Sequence, residues 1–586
     1  MENLVKSIDE IYKIVLQPID ILYKMQAMDY YRKKLKLSEE DSFGDVYSKA
    51  LNKKKVNGVV YTPKEIAQFI IRKTITESDI VNNPFLKILD PACGSGNILI
   101  PCFFYLKEIY NKNLLNINKK HNLNLKIDNV NEHILKYNLF GYDIDKEALK
   151  ILIIDIFHLT NMILENIENK DFLMGNVDSK FGVILGNPPY IGQKSIEKGY
   201  SKRLKEEYRD IYKDKGDISY CFFKKALDIL EVEGKVSFIT SRYFLESLSG
   251  EELRKVLREM CYIKEIVDFY GIRPFKNAGV DPLIIFLQNK RLLDYDIKVI
   301  KPVQSVGKNK KRFYQSLFYG EDDFYKEFYL NKNLLNNKGW ILRDSKERGI
   351  ISKIEEKSFT NLNNICNSYQ GIITGCDKAF VVTKEDIEKD NIEISLVRPW
   401  IKSSHINKFK VEPSEKYLIY SDLIRKEEEA PNAIKHIGEF KQKLMNRREC
   451  KNGIRNWYQL QWGRVPDVFE GKKIVFPYKS NKNRFSLDTG SFFSADIYCL
   501  TLKENVPFTY EYLLFLLNSK VYEFYFKTFA KKLGEDIYEY YPNNLMKLCI
   551  PTMTKFKNEE ELYDFFEFTE EERRCLAPTE LGRKME

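Results

Sequence analysis

An acid and two closely spaced glycines, Asp90-Pro91-Ala92-Cys93-Gly94-Ser95-Gly96, stand well upstream of a short amide-bearing loop, Asn187-Pro188-Pro189-Tyr190. Gly94 and Gly96 permit positive φ and let a ligand approach the main chain closely. Lys87-Ile88-Leu89-Asp90 reads as the end of a buried strand, and the apolar run from Ile98 through Phe104 as a helix. Strand, glycine turn and helix in that order build the nucleoside crevice of a doubly wound α/β sheet. A lone Gly-x-Gly fits any tight α/β turn equally well; the acid and proline of the heptapeptide are more restrictive.

The second element suits a planar exocyclic amine, whose lone pair is delocalised into its ring. The side-chain oxygen of Asn187 and the carbonyl of Pro188 can accept the two amine hydrogens. Nitrogen then moves toward tetrahedral geometry and becomes nucleophilic without a strong base, a stabilisation aimed at the transition state. Pro188 and Pro189 stiffen the loop, and Tyr190 offers a ring face for a base taken out of its duplex.

Gly141-Tyr142-Asp143-Ile144-Asp145 fits the end of the next strand, where an acid can accept both ribose hydroxyls. Alternation favours Asp143, with Ile144 beside it, and leaves Asp145 to cap the following helix. Asp143 lies 53 residues after Asp90. The Lys/Asn-rich stretch 107–137 between them reads as an inserted helical excursion.

The order of these segments resembles that of the γ-type N6-adenine DNA methyltransferases, cofactor motifs first and target recognition last. That resemblance implies S-adenosyl-L-methionine as cofactor, with Asp90, Ala92, Cys93, Gly94 and Gly96 at its methionine part. It implies a closing segment at Gly58-Val59-Val60-Tyr61-Thr62-Pro63, in which Tyr61, Thr62 and Pro63 contact the cofactor. Asn176, followed by Val177, stands where the family binds the cofactor adenine amine, with Asp178 as a competitor. Asp217-Ile218-Ser219-Tyr220 matches the motif after the catalytic loop, and Phe275 matches the aromatic that faces the flipped adenine opposite Asn187, Pro188 and Tyr190. A core phenylalanine ahead of a strand is the alternative for Phe275. Segments 242–250, 370–380, 446–450, 460–464 and 477–481 look very like orphan adenine methyltransferases of spore-forming clostridia, which implies an A-rich site.

The 586 residues have ordinary hydrophobic content and a net charge of +10. No apolar run is long enough to span a bilayer, and no signal-peptide pattern opens the sequence. The ten cysteines form no Cys-x-x-Cys pair, so neither a disulfide framework nor a metal site is expected. A reducing cytoplasm, on the nucleoid, is the expected location.

Charge is concentrated late in the chain. Between Arg447 and Asp488 there are ten Lys/Arg against four Asp/Glu. Basic side chains neutralise phosphates, and amide or Arg groups read base edges. Arg447, Arg448, Arg455, Trp457, Gln461, Trp462, Arg464, Lys479, Asn481, Lys482 and Arg484 are the candidate contacts to double-stranded DNA, with a solvated basic surface as the alternative.

The expected architecture is a helical segment over residues 1–50, a Rossmann-like methyltransferase domain over 51–299, and a mixed α+β target recognition domain with a helical C-terminal part over 300–586. Helix-period apolar residues (Ile8, Ile11, Val15, Ile19, Leu22) mark the first segment. The expected activity is site-specific methylation of adenine N6, by a monomer on DNA and without nuclease activity. Pro466-Asp467 followed by Glu470-Gly471-Lys472 is only a partial nuclease match. A methylase paired with a separate restriction subunit, and an amino-methyltransferase of protein glutamine or RNA, are the competing readings.

Overall fold

The computed structural model describes residues 2–38, 40–54, 61–275, 279–303, 310–320, 324–533 and 537–576. Gly58, Val59, Val60, Lys276 and Asn277 lie outside them. The chain divides into two compact units, Met1–Leu342 and Arg343–Glu586.

The first unit is built on a nine-stranded sheet of order β3-β2-β1-β4-β5-β7-β6-β8-β9. Its strands are β1 Ile88–Asp90, β2 Leu139–Asp143, β3 Ile167–Asn169, β4 Phe181–Gly186 and β5 Leu230–Ser241, followed by β6 Tyr262–Asp268, β7 Pro282–Gln288, β8 Asp296–Pro302 and β9 Tyr325–Asn331. The strands β3, β2, β1, β4 and β5 run parallel, whereas β7 lies antiparallel between β5 and β6. Alternation along these strands feeds two cores. Ile88, Val183, Leu185, Ile239 and Ile284 face one, and Leu89, Ile184, Phe238 and Ile285 face the other. Covered on both faces, the parallel strands are continuously apolar, as β4 is.

The wide spacing between Asp90 and Asp143 has a simple cause. The crossover from β1 to β2 contains the 23-residue helix Leu99–His121, then a loop and the short helix Val130–His133. The excursion is this helix extended, rather than a separate insertion.

At the N-terminus, Ile8, Ile11 and Val15 of helix Glu2–Leu16 pack against Ile151, Ile154 and Phe157 of helix Lys146–Thr160. Ile19 and Leu22, expected to continue that face, are exposed. The first helix ends at Leu16 and a new one starts at Ile21, so the register is lost between them. The N–H groups of Phe43 and Gly44, which open helix Phe43–Lys54, both donate to the buried Asp155.

The sheet also continues beyond residue 299, where the sequence placed a domain boundary. β8 pairs along its length with β9, and the compact unit runs to Leu342. The connection from β8 to β9 contains the helix Lys310–Tyr319, whose Phe313 and Leu317 pack into the core of the first unit.

The second unit holds two four-stranded sheets. One joins Cys366–Gln370, Ile497–Leu502, Lys473–Pro477 and Ser486–Asp488; the other joins Val381–Val382, Tyr417–Ile419, Val397–Ile401 and Phe492–Phe493. Phe469, Phe492, Phe493 and Trp400 lie in the core beneath them. Helices Tyr510–Asn518 and Lys520–Phe529 follow, divided at Ser519, whose hydroxyl caps the second. The mixed α+β character expected of this half is present.

Candidate functional site

Strand order reverses between β1 and β4, and a crevice outside the carboxyl ends of parallel strands is where such sheets bind ligands. A cavity of about 630 Å³ lies there. Its walls come from six places. Asp90 ends β1, with Ala92, Cys93 and Gly94 after it; Asp143 ends β2, with Ile144 and Asp145 after it; Asp171, Phe172 and Leu173 follow β3; Asn187 and Pro189 follow β4. Tyr61 and Thr62 form part of the wall from the N-terminal side, and Ile196, Glu197, Tyr200, Ile218 and Phe222 from the far side.

The glycine turn has the geometry its residues suggest. Gly94 has φ +51° and Gly96 φ +91°. A Cβ on Gly96 would fall 2.4 Å from Leu152 Cδ1, so Gly96 packs the turn onto its neighbouring helix and is not itself in the cavity wall. The N–H of Gly94 donates to Asp143 Oδ2 at 2.8 Å, and that of Asp145 to Asp143 Oδ1 at 2.8 Å. Each oxygen of Asp143 keeps a further lone pair for a ligand hydroxyl. Asp145 caps helix Lys146–Thr160 through Glu147 and Ala148 N–H groups and accepts from the Tyr47 phenol at 2.8 Å.

Asp90 is 1 % exposed, and burial pushes its carboxyl up to about 8, with Asp143 adding to the rise. Burial also raises Asp143. The Cys93 thiol is raised well above its usual range by the same cause, which suits a packing residue and not a nucleophile. Pro63 is the N-cap of helix Lys64–Thr74 and stands outside the cavity wall.

The sequence misplaced one part of the wall. Asn176 and Val177 do not line the cavity; Asn176 instead donates to Asp178 at an exposed turn. Asp171 and Phe172 occupy that end. The Leu173 N–H donates to Asp171 at 2.9 Å, and the Tyr200 phenol donates to its two carboxylate oxygens at 2.9 and 3.2 Å. The signal was available, because Asp171 and Phe172 directly follow a parallel strand. β3 is short and only partly buried, so its apolar pattern is faint.

In the Asn187 loop, the Tyr190 phenol donates to the Asn187 side-chain oxygen and, at 3.2 Å, to the Ile239 carbonyl. The Tyr190 and Phe275 rings pack together, their centroids 6.2 Å apart and planes 50° apart. Both rings are buried, and the cavity wall on this side is Asn187 and Pro189, with Pro188 behind them. Burial raises the Tyr190 phenol far above its usual range, so it stays a donor.

The basic segment of the second unit sorts into two groups. Arg447 donates to the carbonyls of Leu444, Thr374, Trp457 and Gln459 at 2.8–3.2 Å, which makes it an internal strut. Arg455 pairs with Asp422 at 2.8 Å, and Arg484 with the Ile406 carbonyl at 3.1 Å. Trp457 donates to Glu427 and Gln461 to Glu449. Arg448, Trp462, Arg464, Lys479, Asn481 and Lys482 are exposed. Net charge in sequence cannot distinguish these groups, because a guanidinium absorbed by carbonyls counts the same as one in solvent. Among the described residues no group of His, Cys, Asp or Glu could hold a metal ion, and no helix is long and apolar enough to cross a membrane.

With that geometry in view, the comparisons with known proteins agree for both units. Residues 112–275 match the Eco57I restriction-modification methylase family, and residues 398–550 match the TaqI-like C-terminal specificity domain. In both units the chain is thus similar to Eco57I-like type II DNA methyltransferases. The type II methyltransferase M.BstVI of Geobacillus stearothermophilus is 25% identical over 86% of this chain and 92% of its own length. M.BanIII of Aneurinibacillus aneurinilyticus is 24% identical over 78% and 82%. The restriction enzyme and methyltransferase RM.Eco57I of Escherichia coli is 24% identical over 80% of this chain but only 54% of its own length. Among solved structures, the type IIL restriction-modification enzyme MmeI in complex with DNA has a TM-score of 0.56 at 15% identity, over 86% of this chain and 68% of that one. That similarity is one of fold.

Proposed function

We propose that this chain is a site-specific DNA adenine-N6 methyltransferase that uses S-adenosyl-L-methionine and acts on an adenine flipped out of double-stranded DNA. The observation that carries the reading is the position of Asn187. It lies in the wall of a cavity that also presents a buried acid, a ribose-suited carboxylate and an aromatic-plus-acid end.

The cavity's chemistry fits the cofactor. The Asp90 carboxyl suits the methionine ammonium, since a cation would draw its proton away. Asp143 has lone pairs for two ribose hydroxyls. Asp171 suits the adenine amine, in the role first assigned to Asn176, while Phe172 and Ile144 supply apolar faces for the adenine ring. When bound, the cofactor supplies an electrophilic methyl group on sulfur.

Asn187 Oδ1 and the Pro188 carbonyl accept the amine hydrogens of the target adenine. The Asn187 oxygen also accepts from Tyr190, which orients it. Because Tyr190 and Phe275 pack on each other, the target base needs them to part before it can stack on Tyr190. Unpairing and unstacking the adenine cost a few kcal/mol, and the new stacking contacts offset part of that.

Residues 343–586 select the sequence. The resemblance of segments 370–380 and 460–464 to clostridial orphan enzymes is the basis for proposing an A-rich site; a monomer on the nucleoid without nuclease activity is proposed with it. The similarity to the type II methyltransferases M.BstVI and M.BanIII favours a second reading, the methylase of a restriction-modification pair. One experiment tests the proposal: expression in methylation-free cells, with modified adenines mapped across the genome. Absence of N6-methyladenine above background, with labelled cofactor transferring no methyl group to duplex DNA, would overturn it.

A further inference from the structure

Arg464 is an exposed arginine with φ +66°, in the left-handed region that a residue with a Cβ seldom occupies. Such strain persists only where the surroundings over-determine it, and it clusters at functional positions. Here the surroundings are visible. Residues 461–464 run against 371–374, with Trp462 and Ile373 exchanging both main-chain hydrogen bonds at 2.9 and 3.1 Å. The Arg464 carbonyl accepts from the buried Tyr420 phenol at 3.0 Å. A Cβ on the preceding Gly463 would lie 2.2 Å from Asp422 Oδ2, so Gly463 and Asp422 are pressed together. The turn is held on three sides.

The guanidinium is held as well, along one edge only. Nε donates to the Gly371 carbonyl at 3.3 Å, and Nη2 to the side-chain oxygen of Gln370 at 3.0 Å. Gln370 is fixed in turn, its amide nitrogen donating to the Ala495 carbonyl at 3.3 Å. Among the described residues Nη1 has no hydrogen-bond partner, and Nη2 keeps its second hydrogen. The end of the fork, Nη1 with Nη2, is therefore the edge left to a ligand. Trp462, 38 % exposed, lies two residues away along the same extended segment.

An end-on pair of N–H donors with fixed spacing matches the O6 and N7 acceptors of guanine in the major groove. A phosphate needs only positive charge, which a mobile lysine supplies as well. Strain and a clamp at two of three nitrogens are expensive ways to hold a mere counter-charge. We propose that Arg464, buttressed by Gln370, is a sequence-reading residue that recognises a guanine in the target site. Gln370 acts as its positioning residue. The inference rests on the proposed methyltransferase function, and it requires at least one guanine–cytosine pair within an otherwise A-rich site.

The test compares the wild type with Arg464→Lys, Arg464→Ala and Gln370→Ala, each expressed as the full chain in methylation-free cells with methylated adenines mapped genome-wide. The wild type reports on the function itself. If it deposits no methyl groups, that reading falls and this one with it. If it methylates, its motif should contain a guanine–cytosine position. At that position Arg464→Lys and Arg464→Ala should both lose discrimination, by about ten- to hundredfold for one bidentate contact. Gln370→Ala should relax the same position and no other. Three outcomes would overturn the assignment: a motif of A·T pairs only, an unchanged motif methylated more weakly throughout, or recovery of the full motif by Arg464→Lys. The last two are the behaviour of a phosphate contact.

Discussion

The main-chain N–H of Gly94 donates to Oδ2 of Asp143 at 2.8 Å, joining residues 49 apart in sequence. The turn after β1 and the acid after β2 thus form one object. Asp143 holds the turn open at its left-handed glycine and keeps lone pairs for a ligand. A single side chain therefore couples the shape of the crevice to the acceptors it presents, which the proposed function gives to a ribose.

Asp143→Ala removes both functions. Loss of a charge-assisted pair of hydrogen bonds should weaken S-adenosylhomocysteine binding by about 1.5–3 kcal/mol. DNA affinity should stay near the wild-type value. Titration calorimetry checks the first and an electrophoretic shift the second. Unchanged cofactor affinity would move the ribose contact to Asp145, which also lines the cavity.

On the proposed function, Asp90 should make cofactor binding pH-dependent. In the free protein burial raises its carboxyl to about 8, so at pH 6–7 it is protonated. Pairing with a ligand ammonium favours the charged form, and the proton is released on binding. By linkage, affinity for S-adenosylhomocysteine should rise with pH across this window, by up to about tenfold per unit, and level off near pH 8. Asp90→Asn should bind more weakly with a flat profile. A wild-type profile as flat as that of the variant would remove Asp90 from the ammonium site.

Asn187→Ala deletes the acceptor of one amine hydrogen while leaving Asp90, Asp143 and Asp171 in place. Turnover should fall by about a hundredfold or more, the scale of one oxyanion-type contact, with cofactor binding retained. Single-turnover methylation is the measurement. A normal rate would show that the assigned chemistry is wrong.

The two arginines that are adjacent in sequence should behave differently. Arg447→Ala removes the side-chain donor from carbonyls on three segments, those of Trp457 and Gln459 among them, and should destabilise the second unit by about 2–4 kcal/mol. Arg448→Ala should leave stability within about 0.5 kcal/mol and reduce the salt slope of DNA binding by about one. Thermal melts and binding at several salt concentrations separate the two. Equal stabilities would mean that the carbonyls around Arg447 find other donors.

Legibility followed how locally each feature is encoded. The strand, glycine turn and helix around Gly94 are set by adjacent residues, and the structure has them, positive φ included. Asp171 was missed because what matters about it is its place after β3, and β3 carries little pattern of its own. The roles of Arg447 and Arg464 were illegible for a deeper reason. Each depends on carbonyls from segments 70 or more residues away, Thr374 for one and Gly371 for the other. Periodicity and charge counts see neither. The domain boundary failed similarly, since β8 and β9 pair across a connection whose helix Lys310–Tyr319 opens on basic residues and reaches the core through only Phe313 and Leu317 among its fully buried apolar side chains.

That boundary yields the last prediction, on where sequence choice resides. Strands β8 and β9 close the sheet of the first unit, and β8 is buried through Val299, Ile300 and Ile297. A junction at residue 300 would cut β8 in two and strip the sheet of its last partner. A junction after Leu342 keeps the sheet whole and passes Arg343–Glu586 intact. We therefore expect chimeras that join these C-terminal residues to a related catalytic unit to fold when joined at 342/343, and to aggregate when joined at 299/300. Solubility and melting behaviour test this part. The folded chimera should methylate the recognition sequence of the chain that donated residues 343–586, read by sequencing its methylated DNA. A site that stays with the catalytic unit would show that base recognition lies before Leu342, and would remove the second unit from that role.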